Sequence, residues 1–224
     1  MSFEGFDKRQ VQFFKTLARK QDRDWFKAHK AEYEALCERP MKDLFNALQP
    51  MVARQYKGFV VKPPKHFRIY RDVRFSKDKT PYKTHVSAVL HLRGGDDEGA
   101  PAALYMHLGT DDFAGAGHWM LPSVKLVRYR ELVADDELGA ELHKRVRALQ
   151  KKGFGVESFE ALKRVPPGYR PDHPRAELLK LKGLGISFPE IPPAVRFSPK
   201  LLDWVAARSA EASKLVMWLE QQLA

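Results

Sequence analysis

Apolar residues recur every three or four positions through the first 55 residues, the spacing of helices that bury one face. This spacing predicts a helix over residues 8–20 and a second helix that begins at Asp22 or Asp24. A third helix is predicted from Pro40 to about residue 55. The second helix gathers its large side chains on one face, namely Trp25, Phe26, His29, Tyr33 and Leu36. Because aromatic residues at helical spacing usually form core, we interpret this face as packing rather than as a ligand site.

Beyond residue 65 the apolar period falls to two, which is typical of strands. The alternation of apolar with charged residues predicts a strand over residues 67–75, with Phe75 and its apolar partners on one face. Arg71 breaks this pattern, because it falls on the apolar face. Further strands are predicted over 84–93, near 102–109, and in a short segment that ends at Trp119. The strands at 84–93 and 102–109 are expected to pair as an antiparallel hairpin.

Helical spacing returns at Pro122 and predicts helices from there, over 136–151, and over 201–223. Residues 153–198 are rich in Gly and Pro, and we expect one short helix there, near 175–182. The order of helices, antiparallel strands and helices indicates an α+β fold. We therefore predict one domain over residues 1–224, helical over 7–55, mainly β over 65–120 and mainly helical over 122–224.

The composition fits a soluble globular protein. Of the 224 residues, 44% are hydrophobic and 30% are charged, close to ordinary globular usage. No apolar run approaches the ~20 residues that span a bilayer, and the first residues do not resemble a signal peptide. The single cysteine, Cys37, cannot form an internal disulfide, which favours a reducing compartment. We expect a cytoplasmic protein that does not bind membranes.

Positive charge is concentrated in one segment. The chain has a formal net charge of +11, and residues 54–93 hold eleven Lys and Arg side chains against only Asp72 and Asp78. Such a local excess attracts anions such as phosphate esters or nucleic acid. Apolar residues alternate with the basic ones, which indicates that the segment is folded into the body of the protein.

The densest chemical signal is the run of residues 68–83, which we call the basic run. Its arginines offer planar donor forks that suit phosphate or carboxylate, and its lysines add flexible point charges. We predict that it binds a phosphorylated or other anionic small molecule. The candidate ligand-binding residues are Arg68, Arg71, Asp72, Arg74, Lys77, Asp78, Lys79, Tyr82 and Lys83. The two aspartates are expected to orient the arginines rather than to act as bases, because nearby cations lower a carboxylate pKa.

Arg71 has two interpretations with equal weight. A guanidinium at a core-facing strand position must either form a buried ion pair or meet a ligand in a cleft. A β-bulge would also return the side chain to the polar face. The sequence leaves these alternatives open.

Two other functions remain open for the basic run. It is also suited to a non-catalytic module that binds nucleic acid, in which Tyr70 and Tyr82 stack on bases. Alternatively, it is a structural network of ion pairs and the functional site lies elsewhere. The sequence does not decide whether the protein is an enzyme, and it indicates no catalytic residue and no cofactor.

The histidines of the predicted strands give a weaker signal. His85 and His91 share one strand face, and a metal site would need His107 or Asp111 alongside them. Because the register of the hairpin cannot be read from the sequence, we assign no metal ligand. The acidic residues Asp96, Asp97 and Glu98 are interpreted as a solvated loop.

The basic run resembles the signature of a bacterial and fungal family known as domain of unknown function 2461. The resemblance extends over nearly the whole chain and also rests on these residues: Asp24, Trp25, Phe26, His29, Lys30, Tyr33, Gly115, Gly117, Trp119, Pro122, Lys163, Arg164, Pro166, Gly168 and Tyr169. Family members often carry consecutive asparagines where this chain has Gln21-Asp22-Arg23. The resemblance implies a single-domain fold and carries no established activity, substrate or cofactor.

Overall fold

The protein has an α+β fold built on one antiparallel sheet. The computed structural model describes residues 3–92 and 100–223, so the predicted acidic loop at Asp96, Asp97 and Glu98 lies outside the described residues. The strands are β1 (Lys65–His66), β2 (His85–His91), β3 (Ala102–Gly109), β4 (Asp112–His118), β5 (Gly155–Glu157) and β6 (Leu184–Ser187). The sheet order is β1-β2-β3-β4-β6-β5, and each neighbouring pair is antiparallel.

Helices precede the sheet, follow β4 and end the chain. They are α1 (Arg9–Lys20), α2 (Arg23–Ala28), α3 (Lys30–Tyr33), α4 (Arg39–Gln55), α5 (Ser123–Ala134), α6 (Asp136–Gln150), α7 (Ala176–Lys180), α8 (Pro193–Arg196) and α9 (Lys200–Leu223). A π-helical turn, Glu34–Glu38, joins α3 to α4. These elements confirm the predicted fold class, and no helix in 3–92 or 100–223 is long and apolar enough to cross a membrane.

The amino-terminal helices form close to the predicted positions, except that the predicted second helix is interrupted at His29, where α2 ends and α3 begins. Asp22 caps α2, because its carboxylate accepts the backbone N–H of Trp25 at 2.7 Å. The rings of Trp25 and His29 stack at a centroid distance of 4.1 Å. Tyr33 is buried against the Phe13 and Phe14 rings of α1. This aromatic face therefore forms core, as interpreted from the sequence.

The two faces of the sheet have different neighbours. Strand residues such as Ala88, Leu90 and Met106 are fully buried on the face that packs against α4 and α9. Successive strand residues point to opposite faces, so His85, Ser87 and their neighbours in register lie on the other face. One face of the sheet thus supports the core, and the opposite face is free to form a site.

The predicted strand over residues 67–75 is wrong. Strand β1 covers Lys65–His66, after which Tyr70 bridges Tyr82 and the chain folds back on itself. Backbone N–H groups of Arg71 and Lys83 donate across this excursion to Pro81 and Ile69. The predicted core face is confirmed at Ile69, which is buried, but is wrong at Phe75, which is 95% exposed. Backbone hydrogen bonds and two ion pairs within the excursion hold it together.

The Gly- and Pro-rich stretch contains more structure than predicted. The short helix near 175–182 is confirmed as α7, but β5, β6 and α8 also lie between residues 153 and 198. Strand β6 pairs with both β4 and β5. Because β6 has only four residues and its partners are distant in sequence, its apolar pattern is too short to be recognised from the sequence.

Buried polar pairs tie the layers together. His118 of β4 lies 2.5 Å from Glu220 of α9, and both side chains are almost completely buried. Arg196 of α8 contacts Asp112 through Nε at 2.5 Å and donates from Nη2 to Gln10 at 2.7 Å. A buried arginine ion pair therefore exists, but at Arg196 and not at the predicted Arg71.

Candidate functional site

The aspartates of the basic run neutralise two of its arginines. Nη1 of Arg71 donates to Asp78 and to the hydroxyl of Thr80, and the Arg71 side chain is 27% exposed. Arg74 forms an exposed pair with Asp72 through Nε at 3.0 Å and Nη2 at 2.7 Å. The interpretation of Arg71 as core-facing is therefore wrong, because its strand does not form and its partner lies seven residues ahead in the same loop.

The pKa values follow this pairing. The side-chain hydrogen bonds of Arg74 lower the pKa of Asp72 to about 2. Hydrogen bonds from the Arg71 side chain and from the Thr80 N–H lower the pKa of Asp78 to about 2. Both carboxylates therefore orient arginines, as expected from the sequence, and neither is suited to act as a base near neutral pH.

The other predicted residues of the run point in several directions. Arg68 and Lys77 are exposed, and the Lys79 ammonium donates to the Val73 carbonyl at 2.9 Å. The Tyr82 ring is buried and stacks on Phe26 at 4.5 Å. The prediction that Tyr82 stacks on a base is wrong, because its face is already occupied, whereas Tyr70 is 49% exposed. Of the predicted residues, Arg71 and Tyr82 line one pocket and Lys83 lines another.

Arg71 lines a pocket beside α2. We call it the cationic pocket. It has a volume of about 420 Å³ and is lined by Arg23, Phe26, Lys27, Lys30, Tyr70, Arg71, Val73, Pro81 and Tyr82. Four cations thus surround an aromatic floor.

A larger cleft lies on the sheet face opposite α4 and α9, and we call it the sheet cleft. Its volume is about 700 Å³. Aromatic rings form much of its wall, namely Phe67, Tyr105, Phe113, Trp119 and Phe159. Polar groups also line it, among them Lys83, His85, Ser87, His91, His107, Glu157 and Ser158.

Glycines make room for Trp119 in this cleft. A Cβ atom on Gly115 would come within 3.0 Å of the Trp119 ring, and one on Gly185 within 2.8 Å of its Nε1. These glycines are neighbours on paired strands, since Gly115 pairs with Ser187 and Gly117 with Gly185. The indole therefore lies directly against the sheet, 6.0 Å from the Tyr105 ring.

Two histidines and one aspartate meet at one end of the sheet cleft. His107 lies opposite Ser87 and diagonal to His85, which brings the two imidazoles into a stack with centroids 4.4 Å apart. Asp111, in the turn between β3 and β4, places Oδ2 3.2 Å from His107 Nε2. Tyr105 places its hydroxyl 3.3 Å from His107 Nδ1. One potential ligand atom from each of His85, His107 and Asp111 lies within 4.8 Å of the others.

Burial at this end of the cleft lowers the pKa values of basic side chains. Burial, followed by the neighbouring His107, lowers the pKa of His85 to about 4. Burial also lowers the pKa of Lys83, and the nearby Arg68 lowers it further. The Lys83 ammonium lies 5.3 Å from the centre of the Phe67 ring.

The comparisons with known proteins give one positive result. The sequence model of a family described as conserved hypothetical protein (DUF2461) matches residues 9–218. The chain belongs to this family. No curated protein and no solved structure matches the chain, and the DUF2461 match includes every residue of the sheet cleft and the cationic pocket.

Three of the nine predicted ligand-binding residues line the two pockets of this DUF2461 protein. Of the nine predicted ligand-binding residues, Lys83 lines the sheet cleft and Arg71 and Tyr82 line the cationic pocket. His85 and His107 meet, whereas His91 lies about 20 Å along the strand from His85 at ~3.3 Å per residue. The aromatic wall was missed. The alternation of Tyr105 with His107, followed by Phe113 beyond a turn, was the available signal.

Proposed function

We propose that the sheet cleft binds a small organic molecule that carries a carboxylate or phosphate group on a flat, apolar body. The observation that carries the proposal is the convergence of Lys83, His85 and His107 at one end of a cleft whose walls are aromatic. The volume of about 700 Å³ lies within the range of about 300–1,000 Å³ usual for small-molecule sites. A cytoplasmic location is part of the proposal, supported by the buried thiol of Cys37.

Lys83 is the anchor for the anionic group. It is half-buried and forms no ion pair with an acidic side chain within residues 3–92 and 100–223. Its lowered pKa reflects the free-energy cost of holding a charge there. A bound anion offsets that cost, because a nearby opposite charge favours the ammonium form.

The aromatic wall holds the apolar body. The rings of Tyr105, Phe113 and Trp119 contact one another. The centroid of Tyr105 lies 6.0 Å from each of the other two, which are 6.1 Å apart. Flat ligands gain from both area burial and offset or edge contacts with such rings. His107, held between the Tyr105 hydroxyl and Asp111, adds a polar group to this end of the wall.

The test is calorimetric titration of the protein with benzoate and phenyl phosphate, with benzyl alcohol as the neutral analogue. We expect binding of an aromatic anion, and at least a tenfold loss of affinity in Lys83→Met. Lys79→Met is the matched control, because Lys79 contacts a loop carbonyl outside the cleft. We expect this variant to bind the aromatic anion within twofold of the wild-type affinity. Equal affinity for the alcohol, or no effect of Lys83→Met, would contradict the proposal.

A second candidate function concerns the cationic pocket. Arg23, Lys27, Lys30 and Arg71 line it beside the half-exposed Tyr70, an arrangement suited to the backbone and one base of single-stranded nucleic acid. A fluorescence titration with a short single-stranded oligonucleotide at two salt concentrations tests it. We expect affinity to fall steeply with salt and to drop in Lys27→Met/Lys30→Met. Binding that ignores both changes would exclude this candidate.

A further inference from the structure

We infer that His85, His107 and Asp111 form a binding site for a divalent transition-metal ion at the end of the sheet cleft. Two imidazoles and one carboxylate are a donor set that holds first-row transition metals and leaves coordination positions open. The inference goes beyond the proposed function, because it concerns an inorganic ion and is tested with no organic ligand present.

The three ligand atoms are already close together. They lie within 4.8 Å of one another, and metal bonds of about 2.0–2.2 Å to nitrogen and oxygen would span such separations with small side-chain movements. His85 and His107 are supplied by paired strands and so have fixed backbones. Asp111 lies in the adjoining turn with a side chain that is 69% exposed, which leaves it free to adjust.

The surroundings of His107 favour a cation beside it. Its Nδ1 faces the Tyr105 hydroxyl, and its Nε2 faces the Asp111 carboxylate at 3.2 Å. When Nδ1–H donates to the hydroxyl, the lone pair of Nε2 points at a carboxylate oxygen. In that tautomer, a cation coordinated by both atoms offsets their repulsion, whereas in the other tautomer Nε2–H donates to Asp111. Hydrogen bonding through the second ring nitrogen is the usual way in which a metal-binding histidine is oriented.

The donor chemistry selects among ions. Imidazole suits Zn²⁺, Co²⁺, Ni²⁺ and Fe²⁺, whereas Mg²⁺ and Ca²⁺ prefer sets of oxygen ligands. His85 and His107 both line the cleft, so the remaining coordination positions face the space assigned to the organic anion. A metal there would act on the bound anion as a Lewis acid or through a coordinated water.

The experiment titrates the full chain, freed of metal by a chelator, with Co²⁺ and then with Zn²⁺. We expect one Co²⁺ per chain, visible absorption bands from its coordination, and displacement of these bands by one equivalent of Zn²⁺. Mg²⁺ at a hundredfold excess displaces neither ion. Absence of stoichiometric Co²⁺ and Zn²⁺ binding would overturn the inference.

Three variants locate the site. His85→Gln and Asp111→Asn each weaken Co²⁺ binding at least a hundredfold. His91→Gln stays within threefold of wild type, because His91 shares the strand face but lies at its far end. Because Asp111 is exposed, Asp111→Asn keeps the test valid even where His85→Gln unfolds the protein, which thermal melting reports. Binding that survives Asp111→Asn unchanged would place the ion elsewhere and overturn the inference.

Loss of metal binding and loss of anion binding are separable. Lys83→Met is expected to retain one Co²⁺ per chain while it loses the aromatic anion. If Lys83→Met also loses Co²⁺ binding with the fold intact, the metal site depends on Lys83, and its assignment to His85, His107 and Asp111 is overturned.

Discussion

Arginine side chains in this protein are held in two contrasting ways. Arg71 pairs with Asp78 inside a surface loop and keeps part of its guanidinium in water. Arg196 is 3% exposed, contacts both carboxylate oxygens of Asp112, and lies over the Phe197 ring at 4.8 Å. Exposed pairs add about 0–1 kcal/mol to the free energy of unfolding, whereas breaking a buried pair costs about 3–5 kcal/mol. The Arg71 pair orders a loop, and the Arg196 pair connects helices to the sheet.

The pairing of Asp78 has a measurable pH signature. Because Arg71 and Thr80 hold its pKa at about 2, carboxyl NMR should show a midpoint near that value. In Arg71→Gln we expect the pKa of Asp78 to rise toward its ordinary 3.8. Since the folded-state pKa is lowered, the stabilisation by this pair is complete above about pH 4 and is lost as pH falls through about 2.

The control for this titration is the neighbouring pair. Arg74→Gln should raise the pKa of Asp72, which its hydrogen bonds now hold at about 2, and leave Asp78 unchanged. A midpoint of Asp78 near 3.8 in the wild-type protein would contradict the pairing.

At the level of elements, α9 is attached to the sheet through a buried polar contact as well as through apolar packing. His118 of β4 and Glu220 of α9 meet in the core, and the Lys125 ammonium lies 3.6 Å from the other oxygen of Glu220. A charge removed from such a site leaves its partners without compensation. The contact therefore fixes the position of α9 along the strand.

Glu220→Ala is expected to reduce the free energy of unfolding by about 3–5 kcal/mol. Glu220→Gln should cost less, because the amide keeps the shape and one hydrogen bond to His118. Urea unfolding measures both variants. Gln221→Ala, at the next and exposed position of α9, should change stability by less than about 0.5 kcal/mol. If Glu220→Ala and Gln221→Ala reduce the free energy of unfolding by the same small amount, the contact between His118 and Glu220 does not stabilise the fold.

At the junction of α5 and α6, helix propensity favours alanine in place of Gly139, but the packing around Gly139 opposes that substitution. Arg175 caps the end of α5 by donating to the Val133 carbonyl at 2.6 Å and to the backbone carbonyl of Asp135 at 2.9 Å. A Cβ on Gly139 of α6 would lie 2.7 Å from Arg175 Nε and closer still to the Val133 oxygen. Propensity alone favours alanine in a helix by about 1 kcal/mol.

We expect Gly139→Ala to destabilise the protein by about 1–3 kcal/mol, as overpacking does, when measured by urea unfolding. Ala140→Gly, at the exposed neighbouring position, should show the ordinary loss of about 1 kcal/mol. A more stable Gly139→Ala variant would show that the cap and the close helix contact do not constrain this position.

For the whole molecule, the sequence predicted those elements that are long and locally periodic. Helices α1, α4 and α9 and strands β2 and β3 each repeat their apolar spacing often enough to be recognised. Strand β6 was missed because its pairing partners are distant in sequence. The excursion after β1 was misassigned because alternation of apolar and charged residues describes a strand equally well as a loop whose charges pair internally.

The site depends on information that local patterns do not contain. The meeting of His85 with His107 follows from a register that places Ser87 opposite His107. The position of Asp111 follows from a two-residue turn after β3. Charge density along the sequence drew attention to the basic run, whose cations partly satisfy their own aspartates. Charge counts do not distinguish a paired cation from an available one.

The architecture of the sheet cleft makes a global prediction. Gly185→Ala should displace the Trp119 indole, because the new Cβ would lie 2.8 Å from its Nε1. We expect a change in tryptophan fluorescence and at least a fivefold loss of affinity for the aromatic anion. Co²⁺ binding at His85, His107 and Asp111 should be retained. Unchanged fluorescence and affinity would show that the glycines do not seat Trp119.

The π-helical turn Glu34–Glu38 has a consequence for insertions and deletions in this region. Such a turn contains about one residue more than a regular turn and rotates everything after it by roughly 100°. Tyr33 before it and Met41 after it both reach the interior because of this offset. Shortening the turn by one residue would rotate α4 so that Leu44 and Leu48 face water, and relatives should therefore retain the extra residue even where its identity changes.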